Sequence, residues 1–278
     1  MVKEQKVKKF KEKSSFKDKL SVFKLISTDA SCKLLIVFVG MIIAELLVFI
    51  FFAMPNGKPY IELKIEDCKI PLYLICAAGY ILVSLILSNV LSSKTDKPIY
   101  TLQRLRVSES EFFRINVLYN TLMYFVFICM QVLTMLIMFA IFNANKGFVG
   151  PQDNMMAIYR TSLFHSFLPL GDIFFMIRNA LAALYLGILA ALHAQRQREG
   201  GSAIQFYIAV VLFGLTFIVN SMANYSSITI RARDVIVIFV VSIMAWLGWV
   251  SGTSHRKEQW ETDAFEASIK EFRNEEES

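Results

Sequence analysis

Two ionisable side chains lie inside long uncharged stretches of this chain, Glu45 and Arg178. A charged group is costly in hydrocarbon, so it faces a partner or a wet cavity. Three arrangements suit these two residues. They pair with each other and lock the segments that carry them. They line a path for a polar substrate, with Glu45 as a proton site. Or Arg178 reaches polar head groups along its flexible stem while Glu45 bonds a neighbouring Ser, Asn or Tyr. Composition alone leaves all three open.

The remaining chemistry-bearing residues form no constellation. His165, His193 and His255 are scattered, one on the expected outer side and two at the inner edge, so no metal site is expected. There is no H-E-x-x-H helix, no G-x-S-x-G elbow and no pair of carboxylates within one apolar run. Ser251-Gly252-Thr253-Ser254 reads as a helix end. Gly57-Lys58-Pro59 lacks the spacing of a phosphate-binding loop, so any ATP must be bound by another chain. Cys32, Cys68, Cys76 and Cys129 read as structural, because only Cys68 falls plainly outside. The cations sit at segment ends without interleaved aromatics, which argues against nucleic acid. No catalytic, cofactor-binding or metal-ligating residue is expected.

The elements that carry these residues follow from hydropathy. The 278 residues are 55% hydrophobic and 19% charged, and the mean hydropathy is +0.50. A soluble domain is nearer 45–50% apolar and about 25% charged. Six runs approach the roughly 20 residues that cross about 30 Å of hydrocarbon: Leu34–Met54, Ile70–Leu91, Val117–Phe142, Ile173–His193, Ala203–Met222 and Val235–Gly252. They must be helical, because unpaired backbone groups are not tolerated in lipid. The third is overlong, which predicts tilt or an extension beyond the membrane. Of the 29 cations, 21 fall on one set of alternate segments and seven on the other, with Arg178 inside a span. The positive-inside rule then places both termini in the cytoplasm. The expected fold is an all-α, multi-pass integral membrane protein of six spans, and no cleavable signal peptide is expected.

Three regions follow: a basic tail and interfacial helix over 1–33, six spans over 34–252, and a cytoplasmic tail over 253–278. Met1–Ser15 is Lys-rich and too polar to fold alone. Phe16 to Ser27 carries Leu20, Phe23 and flanking apolar residues at helical spacing, with Lys17, Lys19 and Lys24 for anionic head groups. In the first inner loop, Asp96 caps a short helix from Lys97 to about Arg106, with Pro98 in its first turn. Ser108-Glu109-Ser110-Glu111 is a capping box that begins the next helix. On the other side, Met155, Ile158, Tyr159, Leu163 and Phe167 predict an outer interfacial helix, stopped by Pro169 and Gly171. Trp260, Phe265, Ile269 and Phe272 predict an amphipathic helix in the C-terminal tail. No internal repeat is visible.

The segment Lys97-Pro98-Ile99-Tyr100-Thr101-Leu102-Gln103-Arg104-Leu105-Arg106-Val107-Ser108 resembles a stretch that recurs in bacterial type-2 ABC transporter permeases. The stretch Tyr159 to Pro169 is similar to a segment of such permeases from Gram-positive bacteria. Where the family often has Pro, this chain has Arg106. The resemblance implies a plasma-membrane exporter subunit, with a second permease copy or a sister permease and an ABC ATPase subunit as partners. It also implies that Lys97–Arg106 is a coupling helix docking on that ATPase through Pro98, Thr101, Leu102, Arg104, Leu105 and Arg106. The substrate would be lipid-like or a peptide. Two other classes stay open: an ion-coupled secondary carrier using Glu45, disfavoured by the missing repeat, and a non-transporting membrane scaffold or sensor.

Overall fold

The computed structural model describes residues 16–55, 61–90, 109–145, 161–169, 172–198, 204–222, 232–247 and 249–250. Among these residues the chain is helical throughout, with no strand. We number the helices α1 (Phe16–Val48, continued by a π turn at Phe49–Ala53), α2 (Ile61–Asp67), α3 (Lys69–Ser88), α4 (Glu109–Asn145), α5 (Ser162–Phe167), α6 (Ile173–Arg198), α7 (Ile204–Met222) and α8 (232–247). Four stretches are long and apolar enough to cross a membrane: Leu20–Ala53, Lys69–Ser88, Glu111–Ala144 and Ile173–Gln197. Large apolar side chains stand exposed along them, among them Ile36, Phe51, Leu74, Leu118 and Ile177. Water would not tolerate so many on one molecule, whereas acyl chains would. The fifth and sixth expected spans fall on α7 and α8.

At the start of the chain the structure joins two expected elements. The interfacial helix and the first span form a single uninterrupted helix of 33 residues. The polar side chains between the two are satisfied within the helix. Thr28 Oγ1 donates to the carbonyl of Lys24 at 2.8 Å, Ser27 and Ser31 share a hydrogen bond at 3.0 Å, and Lys33 pairs with Asp29 at 3.1 Å. Each link spans one turn, so it supports the helix rather than competing with it.

The buried face of α1 reads Val22, Ile26, Ala30, Leu34, Phe38, Met41, Glu45, Phe49 and Ala53. That spacing exceeds 3.6 residues, so the stripe winds around the helix and meets α4 and α3. In the N-terminal half of α1, Ser31 bonds Tyr119 of α4 at 3.2 Å and Phe23 packs edge-on against the same ring. The helix α4 has 37 residues and starts at Glu109, one residue past the expected N-cap. At 1.5 Å per residue it is about 55 Å long, well beyond the hydrocarbon thickness.

The most extensive pairing is α4 with α6. A stripe of small residues on α6, Ala183, Gly187, Ala190 and Ala194, makes it possible. A Cβ on Gly187 would collide with Thr121 Oγ1 and lie 2.9 Å from the Thr121 backbone nitrogen. Gly79 of α3 similarly accommodates the Sδ of Met41.

The short helix α2 closes the end of α1. Lys64 is 3% exposed, and its Nζ donates to the carbonyls of Ala53 at 2.9 Å and Met54 at 2.7 Å. These are C-terminal carbonyls without an intrahelical donor, where a cation is favoured. Beside it Cys68 Sγ donates to the carbonyl of Lys64 at 3.3 Å. Burial pushes the Cys68 thiol up to about 11, so it is no reactive thiolate at neutral pH. All four cysteines are free.

The expected outer interfacial helix differs too. Its described part, α5, is packed into the bundle: Leu163, Ser166 and Phe167 are buried, and Phe167 meets Phe127 of α4 at 6.4 Å. The expected coupling helix Lys97–Arg106, residues 151–160 and the C-terminal tail lie outside the described residues.

Candidate functional site

Arg178 and Asp234 meet in the first turns of α6 and α8. Asp172 sets the start of α6 by accepting a hydrogen bond from the Phe174 amide at 3.1 Å, an N-cap that leaves Arg178 on the inward face. The Arg178 Nη1 donates to Asp234 Oδ2 at 2.8 Å, with Arg178 8% and Asp234 1% exposed. Arg233 approaches the other carboxylate oxygen of Asp234 at 3.4 Å. The Arg178 Nη2 donates to the carbonyl of Ser166 at 3.3 Å and to Asn179 Oδ1 at 2.9 Å, and its guanidinium lies 4.8 Å from the centre of the Phe175 ring.

Asn179 completes the arrangement. Its amide nitrogen donates to the carbonyls of Ser166 at 2.9 Å and Phe167 at 3.2 Å. The C-terminal carbonyls of α5 are thus held by an arginine and an asparagine of α6, a cation placed where the helix dipole favours it. Nearby, His165 packs edge-on to Phe175 at 6.4 Å. Burial and the charge of Arg178 lower its pKa, while Asp172 acts the other way.

These polar groups form one end of a partly open cavity of about 110 Å³. Its remaining wall is mostly apolar and comes from six helices: Cys76 and Tyr80 of α3, Tyr124 and Phe127 of α4, Phe167 of α5, Ala182 and Leu186 of α6, Phe213 of α7, and Val237 and Ile238 of α8. The tyrosine hydroxyls are tied back into the bundle. Tyr80 donates to the carbonyl of Val210 at 3.3 Å, and Tyr124 to Ser84 at 3.0 Å. The cavity is therefore walled mostly by aromatic and aliphatic side chains, with an ion pair at one end. It suits a small apolar group attached to a polar one.

Glu45 and Arg178 do not form the pair that their isolation in the sequence suggests. Arg178 is taken by Asp234, and Glu45 faces Gln131 of α4, whose Nε2 donates to Glu45 Oε1 at 3.0 Å. The physical reason is the neighbour order. The inward faces of α1 are covered by α4 and α3, so Glu45 meets residues of those helices, while Arg178 meets the start of α8. Nor does Arg178 reach away from the bundle along its stem. His193, at the opposite end of α6, bonds the hydroxyl of Tyr207 at 3.1 Å and stacks on Phe206; His255 is outside the described residues. The six coupling residues Pro98, Thr101, Leu102, Arg104, Leu105 and Arg106 are outside them as well.

Four residues escaped the sequence reading: Asp234, Asn179, Gln131 and Lys64. Asp234 is adjacent to the start of an apolar run and passes for a boundary residue. Gln131 carries the clearest signal, an amide near the centre of a long apolar run, where a partner is needed. No family model matches the chain, and no curated protein or solved structure matches it.

Proposed function

We propose that the chain is the membrane permease subunit of a type-2 ABC exporter, working in the plasma membrane with a separate ATPase subunit and a second permease copy or a sister permease. The observation that carries the reading is the cavity at Arg178 and Asp234, an opening between six helices with an apolar length and one polar end. A scaffold has no need of such an opening. A lipid-like or peptide substrate has an apolar part for the aromatic walls and a polar part for Arg178, Asn179 and Asp234. ATP coupling rests on the resemblance of Lys97–Ser108 to the first inner loop of such permeases. In this reading α7 and α8 are the fifth and sixth spans, and both termini are cytoplasmic.

The test is capture of a P-loop ATPase by the full-length chain. Replacing Leu102 and Leu105 with Asp leaves membrane insertion intact and abolishes that capture. Undiminished capture by the double variant places the contact elsewhere, and absence of any ATPase partner removes the exporter reading. Orientation is checked by single cysteines: those at Asn56, Gln152 and Ser227 react with an impermeant thiol reagent from outside, and those at Gln103, Gln197 and Gln259 do not.

A further inference from the structure

Glu45 and Gln131 face each other between α1 and α4, 1% and 0% exposed. The amide nitrogen of Gln131 is fully used, donating to Glu45 Oε1 at 3.0 Å and meeting Met41 Sδ at 3.1 Å. The two oxygens left over, Glu45 Oε2 and Gln131 Oε1, have no hydrogen-bond partner among the described residues, although both are buried. Both are acceptors, so neither can satisfy the other while Glu45 is ionised. Turning the Gln131 amide over does not help. It would set its oxygen against Glu45 Oε1 and against a sulfur that prefers a donor.

The surroundings offer no countercharge. Glu45 makes no ion pair among the described residues. From α3 it meets Cys76, a buried thiol within electrostatic reach. From α4 it meets Gln131, and Thr134 one turn away spends its hydroxyl on the carbonyl of Met130 at 2.9 Å. Met41 and Phe49 flank it on α1. Lys64 is committed to Ala53 and Met54, about two turns further along α1, and Arg178 to Asp234. An ionised carboxylate in this position would be buried with a single amide donor, which is strongly unfavourable.

We propose that Glu45 is a proton-binding site, a neutral carboxylic acid joined to Gln131 in the packed bundle that releases its proton when α1 and α4 part far enough to admit water. One proton on Oε2 supplies the donor that both orphaned oxygens lack and removes the buried charge. Glu45 and Gln131 then bond as an acid–amide pair linking the two helices. Opening the contact hydrates the carboxyl, which ionises. The site therefore couples proton release to separation of α1 from α4, independently of whether the chain exports a substrate.

Infrared spectroscopy of the full-length protein at pH 7, in nanodiscs of ether-linked lipid, tests this directly. The wild type shows the carbonyl stretch of a protonated carboxylic acid, Glu45→Gln loses it, and Gln131→Leu shifts it by removing its hydrogen-bond partner. If neither variant folds, the wild-type spectrum decides, because ether-linked lipids carry no ester carbonyl in the acid region, water-exposed carboxyls are ionised at that pH, and the other buried carboxylate, Asp234, is ion-paired with Arg178. Carboxylate bands with no acid band overturn the proposal. So does a rise in thermal midpoint with added sodium in the wild type but not in Glu45→Gln, which would mark a cation site instead.

Discussion

The guanidinium of Arg178 meets the carboxylate of Asp234 at 2.8 Å, across 56 residues of sequence. Both are buried, so removing one partner strands the other. Arg178→Gln and Asp234→Asn alone should each cost about 3–5 kcal/mol, and the double variant should cost less than their sum. Thermal stability of the detergent-solubilised protein measures this. Strictly additive losses would mean that the pair is not coupled. Glu45→Gln combined with Arg178→Gln serves as the control and should be additive, because those two residues share no partner.

Gly187 and Gly79 both lie at helix crossings, yet they should respond differently to Ala. At Gly187 the new methyl meets the backbone of Thr121, which cannot move without shifting α4. The expected loss is about 1–3 kcal/mol. At Gly79 it meets the flexible end of Met41, which can turn aside. Unfolding midpoints of the two variants should rank Gly187→Ala well below Gly79→Ala. The reverse order would contradict the tight α4–α6 crossing.

Lys64→Met should keep the packing of the lysine stem and leave the carbonyls of Ala53 and Met54 without their donor. The loss should be about 1–3 kcal/mol, with part of it restored in Lys64→Arg. Hydrogen exchange read at the end of α1 locates the effect. If exchange rises elsewhere but not there, the cap is not what Lys64 supplies.

His165 predicts a pH dependence of stability. Burial and Arg178 set its folded pKa below the unfolded value of about 6.5. The unfolded state therefore binds the proton more readily. Stability is full above pH 6.5 and declines as pH falls from there toward the folded value. Melting curves between pH 8 and 5 should show this decline, and His165→Gln should reduce it. A wild-type midpoint that rises on acidification would reverse the assigned sign.

Helix positions were legible because hydrocarbon thickness sets a minimum apolar length. Ile70–Leu91 became Lys69–Ser88, and Ala203–Met222 became Ile204–Met222. Ends outside the apolar run were less so. The continuity of α1 through Ser27 to Lys33 depends on side chains that satisfy themselves one turn away, and the same residue types elsewhere cap or break a helix. Partners of buried polar groups were not legible at all. Glu45 with Gln131, and Arg178 with Asp234, follow from helix order and rotation, which a single apolar run does not encode. Asn179 was hidden for the same reason: its role depends on the end of α5 arriving beside it.

The unbroken α1 also has a mechanical meaning. From Met41, seated in the notch at Gly79, back to Phe16 the rod extends about 37 Å at 1.5 Å per residue. With that notch as fulcrum, a tilt of roughly 5° displaces the Phe16 end by roughly 3 Å, close to the width of one side chain. A hinge at Ser27–Lys33 would have absorbed such a movement locally. Without one, a tilt at the basic end carries through the rod, and Glu45, about 6 Å beyond the fulcrum, swings the opposite way by about 0.5 Å against its partner on α4.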